Sequence, residues 1–187
     1  MFGTPDQLAP GVLLLANPFL EDPNFTRTVI LLAEHGEHGT LGFVLSRPAG
    51  YTLGSVAGPA APADVPLFYG GPVELDTLHV VHSLGKTLPG SIEVAPHIFW
   101  ATDSEAALAY IRTEKSPERA YRCFLGYSGW SSGQLADETE EKSWIITPAR
   151  GELVWQVPPD ELWRETLRAM GTDYAIVANF PKDPRLN

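Results

Sequence analysis

The chain is a succession of short apolar runs closed off by glycine, proline and polar turn residues, and this punctuation restricts the folds open to it. Residues 12–16 are wholly apolar and residues 28–34 are rich in branched side chains, so both read as buried strands. The connection 17–27 holds Pro18, Asp22 and Pro23, which deny it regular structure and make it a surface loop of the kind that often carries function. His35-Gly36-Glu37-His38-Gly39 then separates 28–34 from 40–46, and its glycines suit the turn of a β-hairpin. Further strands are expected from Leu67, at 75–83, 91–100, 120–127, 144–147, 153–157 and 174–178, with 58–66 as a loop.

Helical signals are fewer. Thr102 with Glu105 forms a capping box ahead of Ala107, Leu108 and Ile111, which share one face before Pro117. Pro159 and Asp160 open a segment whose Leu162, Trp163, Leu167 and Met170 make an apolar stripe, ended by Gly171. A shorter helix is expected from Ser131 or Ser132, with Gln134 completing a second capping box. Because helices do not alternate with strands as βαβ units require, the fold class is α+β, with a mixed or antiparallel sheet and about three helices. No internal repeat is present, and the 187 residues, 44% of them hydrophobic, suit a compact single domain spanning 1–187.

Thirteen Lys and Arg against 23 Asp and Glu leave a formal charge of -10, which repels phosphate backbones and argues against direct nucleic-acid binding. The strongest cationic stripe, Arg112, Lys115, Arg119 and Arg122, is interleaved with Glu114 and Glu118 and reads as a solvated mixed-charge face. Cys123 is the only cysteine, so no intrachain disulfide can form, and its apolar setting at 121–125 predicts a small buried hydrophobe. Residues 1–10 lack the basic and apolar regions of a signal peptide, and no stretch approaches the ~18 apolar residues of a membrane span. A cytoplasmic protein without membrane contact is expected.

Ordered motifs along the chain point to a family. Leu8-Ala9-Pro10-Gly11 with Ala16 and Pro18 is followed by Asp22-Pro23-Asn24-Phe25 and Arg27-Thr28-Val29-Ile30-Leu31-Leu32. Glu34-His35, Gly42-Phe43-Val44-Leu45-Ser46-Arg47-Pro48, Tyr69-Gly70-Gly71-Pro72-Val73 and Leu78-His79-Val80-Val81-His82 come next. Leu125-Gly126-Tyr127-Ser128-Gly129-Trp130, Gly133-Gln134-Leu135 and Trp144 complete the set, which resembles the YqgE/AlgH family of bacterial proteins over roughly residues 8–187. Ser46 stands where that family more often shows Asn, so an amide role there does not carry over. The resemblance implies a compact α+β fold and an uncharacterised protein, often labelled a transcriptional regulator, and supplies no catalytic set, metal or cofactor. No helix-turn-helix pattern accompanies the acidic charge, so regulation would be indirect.

Gly129-Trp130-Ser131-Ser132-Gly133 matches G-x-S-x-G between an expected strand and helix, the setting of a hydrolase nucleophile. In that architecture the histidine follows the serine, whereas His97 is the last histidine here, so Ser131 reads better as a helix cap. His35 and His38 lie in a polar turn, and His79 and His82 would face opposite sides of one strand, which argues against a shared metal ion. Asp137, Glu138, Glu140 and Glu141 lack EF-hand spacing and read as solvated surface. Gly70-Gly71-Pro72 reads as a tight turn, and Arg27 and Arg47 as flanks of hydrophobic strands.

The expectation is therefore a non-enzymatic binding or indirectly regulatory protein without cofactor or metal, with a cryptic serine hydrolase at Ser131 as the alternative. Its partner would be a protein or small molecule. The expected surface centres on 126–134, with Trp130 and Gln134 as contacts and Arg27, Gly70 and Gly71 on the walls.

Overall fold

The computed structural model describes residues 2–58, 61, 65–113 and 121–180. Its strands are β1 (Val12–Ala16), β2 (Val29–Gly36), β3 (Gly39–Val44), β4 (Pro48–Thr52) and β5 (Pro66–Tyr69). They continue as β6 (Val73–His82), β7 (Ser91–Ala95), β8 (Ile98–Ala101), β9 (Tyr121–Trp130) and β10 (Trp144–Pro148). The helices are α1 (Leu53–Ala57), α2 (Ser104–Ile111), α3 (Gln134–Glu140), α4 (Gly151–Gln156), α5 (Leu162–Ala169) and α6 (Thr172–Ala178).

One sheet runs in the order β10-β1-β2-β3-β9-β6-β8-β7, with β4 paired to β5 and β5 paired to β9. All pairings along that path are antiparallel, and the β5–β9 pairing is parallel, so the sheet is mixed. The β2–β3 hairpin turns at Glu37 and His38 between Gly36 and Gly39, as the glycine spacing requires. β9 is the hinge of the arrangement. Along one edge it pairs with β6, and at its two ends it meets β5 (Leu67↔Cys123) and β3 (Thr40↔Trp130).

Alternation along the strands sorts their side chains into opposed clusters. Leu13, Leu15, Val29, Leu31, Phe43 and Phe124 pack under α4, α5 and α6 through Val154, Leu162, Trp163, Leu167 and Val177. Leu14, Ile30, Leu32, Val44 and Trp144 point the other way, onto Leu135 of α3. Val80, Cys123 and Tyr121 form a third cluster with Leu53 of α1 and Ala107 and Ile111 of α2. Strands covered on both faces read as continuous apolar runs, and β1 and β2 do so for this reason.

The α+β class holds, but six helices replace the expected three among the described residues. Residues 153–157 and 174–178, read as strands, are the helices α4 and α6. In the latter, Tyr174, Val177 and Ala178 recur at helical spacing on the core side while Ile176 faces solvent. Short apolar runs are ambiguous in period, and here packing in one cluster with the β1 and β2 side chains Leu13, Leu15, Val29 and Leu31 decides the matter. The cap of α2 is Asp103, whose carboxylate accepts from the Ala106 amide at 3.0 Å, while the Thr102 hydroxyl donates to Gly90. Residues 91–100 split into β7 and β8 around His97, whose φ of +62° makes the turn. The loop 58–66 and the stripe residues 114–120 lie wholly or partly outside the described residues.

Candidate functional site

The loop from Asn17 to Thr28 is built rather than irregular. Asp22 organises it: its carboxylate accepts from the Asn24 amide at 2.7 Å, and its carbonyl accepts from the Thr26 hydroxyl at 2.9 Å. Phe25 is turned inward and stacks on Trp130 at 6.1 Å. Arg27 follows with a left-handed backbone (φ +52°), a conformation uncommon for a non-glycine residue.

That turn directs Arg27 across the end of β1 toward α5. Its guanidinium lies 4.8 Å from the centre of the Trp163 ring and donates to the Phe180 carbonyl at 2.6 Å. Trp163 is itself anchored by its indole N–H to the Ala16 carbonyl at 2.9 Å. Around this pair a cavity of about 270 Å³ is lined by Thr26, Arg27, Ser46, Arg47, Asp160 and Arg164. Burial lowers the pKa of Arg27, and the like charge of Arg164 lowers it further. Arg47 is also lowered by burial, opposed by the charge of Asp22, and it donates to the Pro23 carbonyl at 2.8 Å. Ser46 accepts from the Val29 amide at 3.1 Å, so its hydroxyl serves the β2–β3 edge as well as the cavity wall.

Arg47 also lines a second hollow of about 380 Å³, with Asn24, Val44, Tyr69, Gly71, Pro72 and Leu75. Tyr69 and Leu75 are large apolar side chains at 40% and 52% exposure, so this second wall is an uncovered apolar shelf. The Tyr69 amide donates to the Arg47 carbonyl at 3.0 Å, which fixes shelf and arginine to one another.

The other expected site residues are placed differently. Gly70 is buried, and a Cβ there would stand 2.1 Å from the Gly126 carbonyl oxygen; one at Gly71 would stand 2.3 Å from the Tyr127 backbone. These glycines, with Gly126 at φ +67°, let β9 cross the 70–71 corner closely, and of the two only Gly71 borders a hollow near Arg47. Trp130 is 5% exposed, and its indole donates to Glu138 Oε2 at 3.0 Å, an oxygen it shares with Trp144 at 2.9 Å. Gln134 donates to Glu138 Oε1 at 3.1 Å. Trp130 and Gln134 thus belong to one network at the start of α3, joined to the Arg27 loop through Phe25 and Leu20.

Ser131 lies in that network too: its backbone N–H and its hydroxyl both reach Gln134 Oε1, at 3.1 and 3.2 Å. The serine hydroxyl that meets a histidine is Ser91, 2.8 Å from His82 Nε2. Ser91 donates its proton to the Leu88 carbonyl at 2.6 Å, and His82 Nδ1 accepts from the Leu84 amide, so Nε2 carries the hydrogen. This His82 is a donor, not a base, and its burial pushes its pKa down to about 4. His79 packs on the opposite side of β6, against Phe43, Trp100 and Tyr127, as strand alternation requires.

Two interior groups complete the electrostatics. Cys123 is fully buried, which pushes its thiol up to about 12 and leaves it inert. Arg122, assigned above to a solvated face, is instead 7% exposed. Its guanidinium donates to the carbonyls of Leu45 at 2.9 Å and Val154 at 2.5 Å and lies 5.1 Å from the Phe68 ring centre. Strand alternation turns it inward with Phe124, away from the exposed Arg112. The signal was available: a strand with Tyr121, Cys123, Phe124 and Leu125 is buried on both faces, and an arginine inside it is buried with it.

Comparison with known proteins gives a consistent picture. A family model described as DUF179, AlgH-like, matches residues 13–175. The chain is 42% identical to a UPF0301 protein of Chlorobaculum tepidum over 180 residues, covering 96% of each. It is 41% identical to a UPF0301 protein of Chlorobium limicola over 182 residues, covering 97% of each. In structure it is similar to the solution structure of the AlgH protein from Pseudomonas aeruginosa, with a TM-score of 0.73 at 31% identity over 91% of this chain and 93% of that one. A crystal structure of a protein from Corynebacterium diphtheriae gives 0.77 at 25% identity over 92% and 93%.

Proposed function

The chain belongs to the AlgH-like family, and on that footing we propose that it is a binding protein rather than an enzyme, taking an anionic ligand in the cavity of Arg27, Arg47 and Arg164. The observation that carries this is that three arginines and one aspartate, Asp160, line one hollow of a protein whose net charge is -10. Burial, and after it the like charge of Arg164, disfavours the charged form of Arg27, and an anion in the cavity offsets both. Arginine is the side chain suited to such a site because its planar fork presents paired donors to a carboxylate or phosphate.

Serine hydrolysis has no support in the surroundings of Ser131, whose hydroxyl is engaged with Gln134. A cytoplasmic protein of this kind would regulate by ligand-dependent contact with another protein, not by contact with DNA. Titration of the full chain with sodium phosphate, followed by its thermal unfolding, tests the proposal. The melting temperature rises with phosphate, and Arg47→Gln or Arg164→Gln weakens the effect by about tenfold in phosphate concentration. Equal protection of the parent and both variants overturns the site.

A further inference from the structure

We infer that the groove between the 17–20 turn and α6 binds a small hydrophobic amine, its apolar body held between Phe19 and Ile176 and its ammonium group met by Asp173. This is a second site, distinct from the arginine cavity. The groove measures about 360 Å³, a size that suits a small molecule. Buried Ile145 and Val177 lie at its base. Phe19 and Ile176 stand over them at 64% and 65% exposure, the highest of the large hydrophobic side chains among the described residues. A single exposed apolar residue is ordinary, whereas two that share one groove with Phe180 leave a contiguous apolar surface in water.

Both walls are tied to the fold. The Phe19 amide donates to Asn17 Oδ1 at 2.9 Å, and Asn17 Nδ2 donates to the Lys142 carbonyl at 2.8 Å, which fixes the turn that presents Phe19 to the residues leading into β10. On the other wall Asp173, Ile176 and Val177 are spaced three and four residues apart on α6 and share one face. The rings of Phe19 and Phe180 meet across the groove at 5.7 Å. A ligand entering here has little to order. Charge selects its class. Asp173 is the one charged residue that lines the groove among the described residues, and its carboxylate has no ion pair or hydrogen bond to them. Arg27 reaches the Phe180 carbonyl, but its guanidinium lies over Trp163 and lines the arginine cavity, not this groove. A cation gains both from Asp173 and from the field of a chain whose net charge is -10, and an anion loses on both counts. A second copy of the chain fits the face less well, because it brings its own charge of -10 to the contact.

Titration of the isotope-labelled full chain with phenethylamine, phenethyl alcohol, hydrocinnamate and methylammonium, read by backbone amide shifts, tests this directly. Phenethylamine is expected to shift the amides of Phe19, Ile176 and Val177 and to bind about fivefold more tightly than the alcohol, with hydrocinnamate weaker than both. Methylammonium, which has the charge without the body, leaves those amides unmoved. In Asp173→Asn the amine and the alcohol bind within about twofold of each other, and in Ile176→Ser both weaken by about fivefold or more. Asp173 and Ile176 are exposed, so neither substitution empties a packed site. Equal binding of amine and alcohol by the parent, or an amine advantage that persists in Asp173→Asn, overturns the role given to the ammonium group. If no probe shifts Phe19 and Ile176, the groove is not a ligand site and the inference falls. It falls equally if the parent sediments as a dimer that Ile176→Ser returns to monomer, since the face is then covered by a second copy.

Discussion

Arg122 and the cluster of Arg27, Arg47 and Arg164 put the same side chain into two settings within one molecule. Arg122 is enclosed in the sheet–helix layer, where the main-chain carbonyls of Leu45, just past β3, and Val154, in α4, accept from its guanidinium. It has an aromatic face, Phe68, and is 7% exposed. The cavity arginines Arg27 and Arg47 also touch carbonyls, those of Phe180 and Pro23, but they line open space, and Arg27 feels the like charge of Arg164. A guanidinium whose partners are all backbone serves the fold. Several arginines lining one hollow present donors that an added anion can meet.

The comparison breaks most visibly at Arg122. Arg122→Ala leaves the Leu45 and Val154 carbonyls buried without donors and empties the space above Phe68. We expect a loss of about 3–5 kcal/mol in urea unfolding, the sum of charge-assisted hydrogen bonds and lost packing. Arg122→Lys retains the charge but not the fork that spans β3's end and α4, and recovers less than half of that loss. A change below about 1 kcal/mol in both variants would mean that Arg122 is no more structural than the cavity set.

The same interior gives the next effect, through pH. His82 lies beside Tyr121 across the β6–β9 pairing, is fully buried, and is held neutral with its pKa pushed down to about 4 from 6.5. Between those values the unfolded chain binds a proton that the folded chain refuses. His82 therefore contributes stability above pH 6.5 that is lost as pH falls toward 4, amounting to at most about 3 kcal/mol. Among the described residues the groups facing it are Phe99, Tyr121, Ser91 and the Leu84 amide. Urea melts of the parent and of His82→Gln at pH 7.5 and 4.5 measure the share due to this residue. Parallel pH slopes for the two proteins would remove His82 as the cause.

How far these two settings could be read beforehand differs for a physical reason. The interior is locally encoded: runs such as Leu13-Leu14-Leu15 and Ile30-Leu31-Leu32 announce strands covered on both sides, and the Gly36–Gly39 turn announces their hairpin. Helices α4 and α6 were hidden because five-residue apolar runs satisfy either period until a surface is available to cover them. The cavity is not locally encoded at all. Arg27, Arg47 and Arg164 come from a loop, the β3–β4 connection and α5, and long-range contacts such as that of Trp163 with the Ala16 carbonyl hold these segments side by side. Trp130 and Gln134 looked like a contact surface because aromatic and amide groups near glycines suit ligands, yet the same chemistry also caps a core, here through Glu138. Arg27 alone among the early candidates lies in the arginine cavity, and its left-handed φ is a property of the folded loop.

The smallest effect is the sharpest test of the cavity half of the comparison. Arg164 lies on the exposed side of α5, and its charge adds to burial in lowering the pKa of Arg27. Replacing it with the uncharged Gln removes a repulsion without emptying a packed site, so the ligand-free protein should not lose stability. A change within about 0.5 kcal/mol is expected, with the sign toward stabilisation. Salt decides whether electrostatics is the cause. At low ionic strength the Debye length is about 30 Å and the full repulsion is felt, whereas at 1 M salt it shrinks to about 3 Å, shorter than the reach between two guanidinium groups across a cavity. The difference between Arg164→Gln and the parent should therefore be present at 10 mM sodium chloride and vanish at 1 M, in paired urea melts. A destabilisation by Arg164→Gln that persists at 1 M salt would show Arg164 to be a packing residue like Arg122, and the two settings would then be one.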